Sequence, residues 1–323
     1  MNHLKYFSFL FIFSFISCEK EEIPINPHLA GEIIIQQVEL EKDYKNQVFY
    51  KLSNNSIVSN NIKTEWDLGF INHNNDDYII LNSSTFMQAA NGPTGSFENV
   101  IDINSLQWGW DNPRGIDFGT AISYELDNSN IYIIDRGYSL NGNNRGYKKF
   151  MITEVTDYYY MIRYSNLDNS GDTVIQINKE NGTNFITYSF DEDEKILIYP
   201  DDDDWDLVFT QYTSLFSDTT TPAYLVTGVL TNYYNNITVS LDTINDFEQI
   251  NLSMIDNYNF SNNQDQIGYS WKSFDLQNNL YVINNQITYL IKDSEGRYFK
   301  LQFIDFYNDI GDKGYPKFKI QEL

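Results

Sequence analysis

Acid–base and nucleophilic chemistry at neutral pH most often enlists histidine. This chain of 323 residues has three, His3, His28 and His73, and only the last two lie beyond an apolar N-terminal run. It contains no Gly-x-Ser-x-Gly elbow, no Gly-rich phosphate loop and no zinc-type His/Cys spacing. Paired carboxylates are so common among 45 Asp and Glu residues that they single out no site. The acidic runs at 191–194 and 201–204 offer the oxygen ligands that calcium prefers, but such runs more often form solvated turns. The pattern points away from an enzyme.

One side chain has a distinctive setting. Cys18 is the only cysteine, which excludes an internal disulfide. Lys5 supplies a positive start, residues 7–16 are apolar, and Ser17 is small. Such a run is too short for a bilayer, which needs about 20 apolar residues, so residues 1–17 read as a secretory signal. Phe15-Ile16-Ser17-Cys18 resembles a bacterial lipobox, with Phe15 where Leu is more usual. Cys18 is then the lipidated first residue of the mature chain, held on a membrane by about 0.8 kcal/mol per buried acyl methylene. Residues 18–32 form an acidic tether, and Glu19-Lys20-Glu21-Glu22 resembles a surface-export signal of some Gram-negative lipoproteins. The expected location is the outer membrane, exposed at the cell surface.

The formal charge of −24 repels phosphate backbones, whose partners bind largely through Lys and Arg. Nucleic acid is therefore excluded as a partner. The same charge disfavours anionic lipid, leaving acylation as the means of membrane attachment. Aromatic residues make up 16% of the chain, with 25 Tyr and 22 Phe, and they favour pleated, half-buried surfaces over helices.

The elements that must position any site come twice. Glu65-Trp66-Asp67-Leu68-Gly69-Phe70 recurs 139 residues later as Asp204-Trp205-Asp206-Leu207-Val208-Phe209. At the same offset, Phe150-Met151-Ile152 matches Tyr289-Leu290-Ile291, and Tyr159-Tyr160-Met161-Ile162 matches Tyr298-Phe299-Lys300-Leu301. Upstream, Tyr50-Lys51-Leu52 parallels Tyr188-Ser189-Phe190. Tyr160, Ile162 and Tyr164 alternate with Met161 and Arg163, the period of a half-buried strand. Asn141-Gly142, Asn181-Gly182 and Glu295-Gly296 are hairpin cues, and 247–255 is the best short helix. The expected fold is all-β: two similar tandem antiparallel units, residues 33–170 and 174–323, with few short helices. The counterpart of 201–204 in the first unit is Ile62-Lys63-Thr64-Glu65, so the repeat does not require an acidic run, which weighs against calcium. Trp66 and Trp205, at matching places, are expected core anchors. Trp108, Trp110 and Trp271 are left to line a pocket.

Trp66-Asp67-Leu68-Gly69-Phe70 followed by Ile79-Ile80-Leu81-Asn82-Ser83-Ser84 resembles the HmuY family. So do Trp205-Asp206-Leu207-Val208-Phe209-Thr210 with Tyr224-Leu225-Val226-Thr227-Gly228-Val229-Leu230, and the ending Tyr298–Tyr307 with Gly314-Tyr315-Pro316. The resemblance covers most of residues 36–323. It implies an all-β surface lipoprotein that binds heme and works with a TonB-dependent outer-membrane uptake receptor. Heme iron takes axial His, Met, Cys or Tyr ligands, and family members differ in using His or Met pairs. Met87, expected in a loop after the first Trp-Asp strand, with His73 or Met161, is the best ligand set on this basis. Met151, matched to Leu290, is expected in the core, and Met161, matched to Lys300, on a face that tolerates charge. The competing expectation is a surface β module that binds a glycan, peptide or protein without heme.

Overall fold

In a computed structural model, residues 29–72, 78–92, 95–99, 102–122, 130–217 and 220–323 are described. The strands of the first part are β1 (Ile34–Gln37), β2 (Asn46–Lys51), β3 (Ser56–Ile62), β4 (Leu68–Ile71), β5 (Ile79–Leu81), β6 (Gln88–Asn91), β7 (Ile131–Asp135), β8 (Tyr147–Val155) and β9 (Tyr159–Ser165). Those of the second are β10 (Thr173–Asn178), β11 (Phe185–Ser189), β12 (Glu194–Ile196), β13 (Leu207–Leu215), β14 (Ala223–Thr231), β15 (Thr238–Asp242), β16 (Lys272–Asp275), β17 (Leu280–Ile283), β18 (Thr288–Lys292), β19 (Tyr298–Tyr307) and β20 (Lys313–Glu322). The helical elements among the described residues are short 3-10 turns. The expected all-β class is what the chain adopts.

Alternation along each strand sends one set of side chains inward. On β9, Tyr160, Ile162 and Tyr164 are buried, while Met161 and Arg163 are only partly covered. The sheet β10-β9-β8-β7-β6 closes with β12-β11-β4-β5 over a core that includes Phe70, Ile134, Phe150 and Tyr188. The sheet β1-β20-β19-β18-β15 closes with β14-β13-β2-β3 over Tyr50, Phe209, Tyr289, Phe303 and Phe318. The result is two sandwich bodies, each with its own core. The outer faces of the two four-stranded sheets then meet around Phe49, Trp66, Trp205, Val208, Tyr212 and Leu230, with Ile80 against them.

The stretches 33–170 and 174–323 do not each close on themselves. β1 pairs with β20 and β2 with β13, while β11 pairs with β4 and β10 with β9. Strands from the start of the chain thus complete the second body, and strands 173–196 complete the first. Period-two patterning specifies which face of a strand is buried but not which strand lies beside it.

Three local expectations are corrected. Asn181-Gly182 lies between β10 and β11, which pair with other strands and form no hairpin; the other two Asn/Glu-Gly turns do join paired strands, β7–β8 and β18–β19. The short helix falls at Leu252–Asn257, capped by Asn251, whose side chain accepts the Ser253 N–H. Sheet order also sets β19 beside β18 and β20 as β8 is set beside β7 and β9. The matches of 150–152 to 289–291 and of 159–162 to 298–301 are therefore one strand out of step. Lys300 does not mark an exposed face: it is 3% exposed and donates to the carbonyls of Phe247 and Ile250.

Candidate functional site

The sequence-derived ligand residues do not converge. Met87 is 1% exposed inside the first core, packed with Leu68, Phe70 and Tyr132. It precedes β6 directly, so the expected loop is a strand edge, and its thioether fills space between sheets. Met161 projects from β9 on the side away from Tyr160 and Ile162, and so lies on the opposite face from that core. Met151 is only partly buried, against Phe97, Ile131 and Ile133 on the outer side of β7 and β8. His73 and Cys18 lie outside the described residues, as do the other two histidines.

Trp66 and Trp205 are core anchors as expected, each 3% exposed and both in the cluster where the bodies meet. Trp271 is buried, its ring stacked on Phe303 at 3.9 Å. Trp108 sits 5.9 Å from Tyr147 and Trp110 5.5 Å from Phe86, and none of these three tryptophans lines the cavity described next.

That cavity lies at the seam between the bodies, with a volume of about 70 Å³, lined by Phe49, Trp66, Phe185, Tyr199, Tyr212 and Tyr233 among others. The rings form a connected wall. Phe49 lies 5.5 Å from Tyr199 and 5.1 Å from Trp205, edge to face, and Phe185 lies 5.6 Å from Tyr199. Three polar side chains of the wall, Gln47, Thr210 and Trp66, bond to one another. Gln47 donates to Thr210 Oγ1 at 3.0 Å and accepts from Trp66 Nε1 at 2.9 Å.

Residues 111–122 run along the cavity as a strap, with Asp111, Gly115, Ile116 and Thr120 among its lining. Asp111 accepts the N–H of Leu81 at 2.6 Å and of Ala121 at 2.8 Å. The Ile116 N–H donates to Tyr233 Oη at 3.0 Å, and the Gln264 N–H donates to the Arg114 carbonyl at 2.9 Å. The strap is thus pinned to both bodies. Gly115, at φ +121°, passes where a Cβ would sit 3.0 Å from the Tyr233 ring. Burial pushes the Asp111 carboxyl up to about 6, against the pull of its two N–H donors.

A wall of rings with few free polar groups suits the apolar faces of a flat ligand. Its size suits one less well, since 70 Å³ holds only about five waters at roughly 10–15 Å³ each. A macrocycle is larger than this volume. The wall has no His, Met or Cys to meet the iron of a heme. Of the usual axial types it offers only the phenols of Tyr199, Tyr212 and Tyr233, which burial raises well above their ordinary range. The cavity as closed does not fit an axially ligated heme. Among the described residues, no group of three or more His, Cys, Asp or Glu side chains is arranged to hold a metal ion.

These wall residues escape a motif search because they come from separate strands and loops. One signal is present in the sequence. Leu207-Val208-Phe209 is apolar without alternation, as befits a strand covered on both faces.

The sequence profile of the HmuY protein family matches residues 43–320. The chain belongs to the HmuY family. Among solved structures it is similar to the apo HmuY analogue TFO of Tannerella forsythia, at 9% identity over 91% of this chain and 97% of that one, with a TM-score of 0.26. Apo PinO from Porphyromonas gingivitis is similar at 9% identity over 90% and 97%, TM-score 0.28. A putative HmuY-like heme-binding protein of Bacteroides vulgatus is similar at 13% identity over 54% and 89%, TM-score 0.19. At these scores the superpositions add nothing to the HmuY assignment, which rests on the profile. No curated protein matches the chain.

Proposed function

We propose that this chain is a surface-exposed, lipid-anchored heme-binding protein that hands heme to a TonB-dependent outer-membrane receptor. The profile match over residues 43–320 carries this reading, because it covers the β body from β2 onward to within β20. The apolar run 7–16 followed by Ser17-Cys18 supports export and acylation at Cys18. The chain then works as a carrier and has no catalytic step to perform. Titration of the purified mature chain with ferric heme tests the reading, with growth of a shifted Soret band as the expected result. No spectral change at micromolar protein would end it.

The phenol-only donor set of the seam favours one alternative, a β module that binds a glycan, peptide or protein partner through its aromatic surfaces and has no heme. It predicts retention on a glycan or peptide array together with a flat heme titration.

A further inference from the structure

We infer that the molecule consists of two copies of one unit, residues 31–170 and 171–323, which have exchanged their first three strands, so that neither copy closes a core alone. The sheet orders carry the inference. β15-β18-β19-β20-β1 repeats the arrangement of β6-β7-β8-β9-β10, and β3-β2-β13-β14 repeats β12-β11-β4-β5. In each sheet the borrowed strands come from the opposite copy. β1 to β3 and β10 to β12 are the exchanged ribbons.

The agreement extends to single hydrogen bonds. Tyr50 pairs with Leu207 as Tyr188 pairs with Leu68. The Asp206 N–H donates to the Tyr50 carbonyl at 2.9 Å, and the Asp67 N–H to the Tyr188 carbonyl at 2.8 Å. Asp206 Oδ2 accepts the N–H of Leu52, and Asp67 Oδ2 that of Phe190, both at 2.8 Å. Asn232 clamps the Trp205 carbonyl as Asn82 clamps the Trp66 carbonyl, and each also donates its backbone N–H to the neighbouring Asp carbonyl, Asp206 and Asp67 respectively. A buried lysine stands on the same strand of each body: Lys149 on β8 donates to the Phe97 carbonyl, and Lys300 on β19 to the Phe247 carbonyl. Two unrelated sandwiches have no reason to share a buried lysine, a capped Asp and an Asn clamp at matching positions.

The seam follows from this relation. Gln47 matches Phe185 and Ile80 matches Leu230 by register against the paired Asp-Leu strands. Ser83 and Tyr233 match as the residues that follow Asn82 and Asn232 into short 3-10 turns. All six line the cavity. The first copy contributes the smaller or more polar member at Gln47 and Ser83, and the second contributes rings at Phe185 and Tyr233. The cavity therefore straddles the two copies and needs both.

A protease site inserted between Ser170 and Gly171, both exposed in the β9–β10 turn, tests the inference on the full chain. Uncut protein with the insertion serves as the folding control. After cleavage the fragments are expected to co-elute at the size of the uncut chain in native buffer. Separated in denaturant and refolded, neither fragment is expected to give a folded monomer, while the 1:1 mixture recovers the uncut chain's near-ultraviolet spectrum. The inference is overturned if the fragments separate in native buffer, if either refolds alone as a monomer with a cooperative transition, or if the mixture fails to recover the spectrum.

Discussion

Lys51 Nζ lies 2.8 Å from Asp206 Oδ1, a contact that joins the early ribbon to the second body, with the two side chains 10% and 0% exposed. Burial holds the Asp206 carboxyl above its ordinary range despite the adjacent ammonium. Desolvation therefore outweighs the ionic attraction, as is common for buried pairs. Removing one partner leaves the other charge unpaired. Asp206→Ala is expected to cost about 3–5 kcal/mol in urea unfolding. Lys51→Met combined with Asp206→Leu should recover part of this loss, the remainder reflecting the orphaned Leu52 N–H. A cost below about 1 kcal/mol for the single variant would contradict the pair's burial.

Much of the fold was readable from residue order. The inward set Tyr160, Ile162 and Tyr164 and the anchoring of Trp66 and Trp205 follow from alternation and repetition. Strand partners were not readable, because β2 is equally compatible with any apolar neighbour and only the tertiary fold selects β13. Lys300 misled the reading of the face that carries Met161, since the two were matched one strand out of step. A lysine within a strand normally signals solvent, whereas here backbone carbonyls from the 247–250 segment receive its ammonium in the interior. Asp111 and Tyr199 lie in loops far apart in the chain, and only the tertiary fold brings both to one cavity.

Met87 is a packing residue. Met87→Leu conserves volume and is expected to change stability by less than about 1.5 kcal/mol, whereas Met87→Ala should cost about 2–5 kcal/mol by opening a cavity beside Phe70 and Tyr132. A ferric heme titration of Met87→Leu should match that of the parent chain. A lost or shifted Soret response in that variant would restore Met87 as a ligand.

Lys272 is enclosed by rings, its Nζ 4.1 Å from Trp271 and 4.9 Å from Phe306, and it donates to the Thr227 carbonyl. Burial lowers its ammonium from 10.5 to about 7. The unfolded chain holds this proton between those values while the folded chain releases it, so stability rises with pH across that window and falls as pH drops through about 7. Lys272→Met should remove this rise, seen as equal urea midpoints at pH 7 and 9 after the contribution of the rest of the chain, measured in Lys272→Arg, is subtracted. A rise undiminished in Lys272→Met would place its origin elsewhere.

The strap over the seam has the opposite pH signature. The Asp111 carboxyl, raised by burial from 3.8 to about 6, binds its proton more tightly in the folded chain than in the unfolded one. Its contribution to stability is therefore fully present below pH 3.8 and is lost as pH rises through about 6. Asp191 acts in the reverse sense: Arg136 holds it down near 2, so the stability it contributes above pH 3.8 is lost as pH falls through 2. The two windows do not overlap, but burial raises Asp206, Asp135 and Asp265 in the same sense as Asp111, so the Asp111 part is read as a difference from the parent chain. Asp111→Asn should lessen the fall in stability between pH 4 and 6 relative to the parent chain. It also exchanges a carboxylate that accepts the N–H groups of Leu81 and Ala121 for an amide with one acceptor oxygen. One end of the strap then loses a pin while Ile116 and Arg114 keep theirs. Faster amide exchange confined to Leu81 and 111–122 in Asp111→Asn, with the strands at the parent rate, is the expected signature. Unchanged protection of the strap would mean that Asp111 does not pin it.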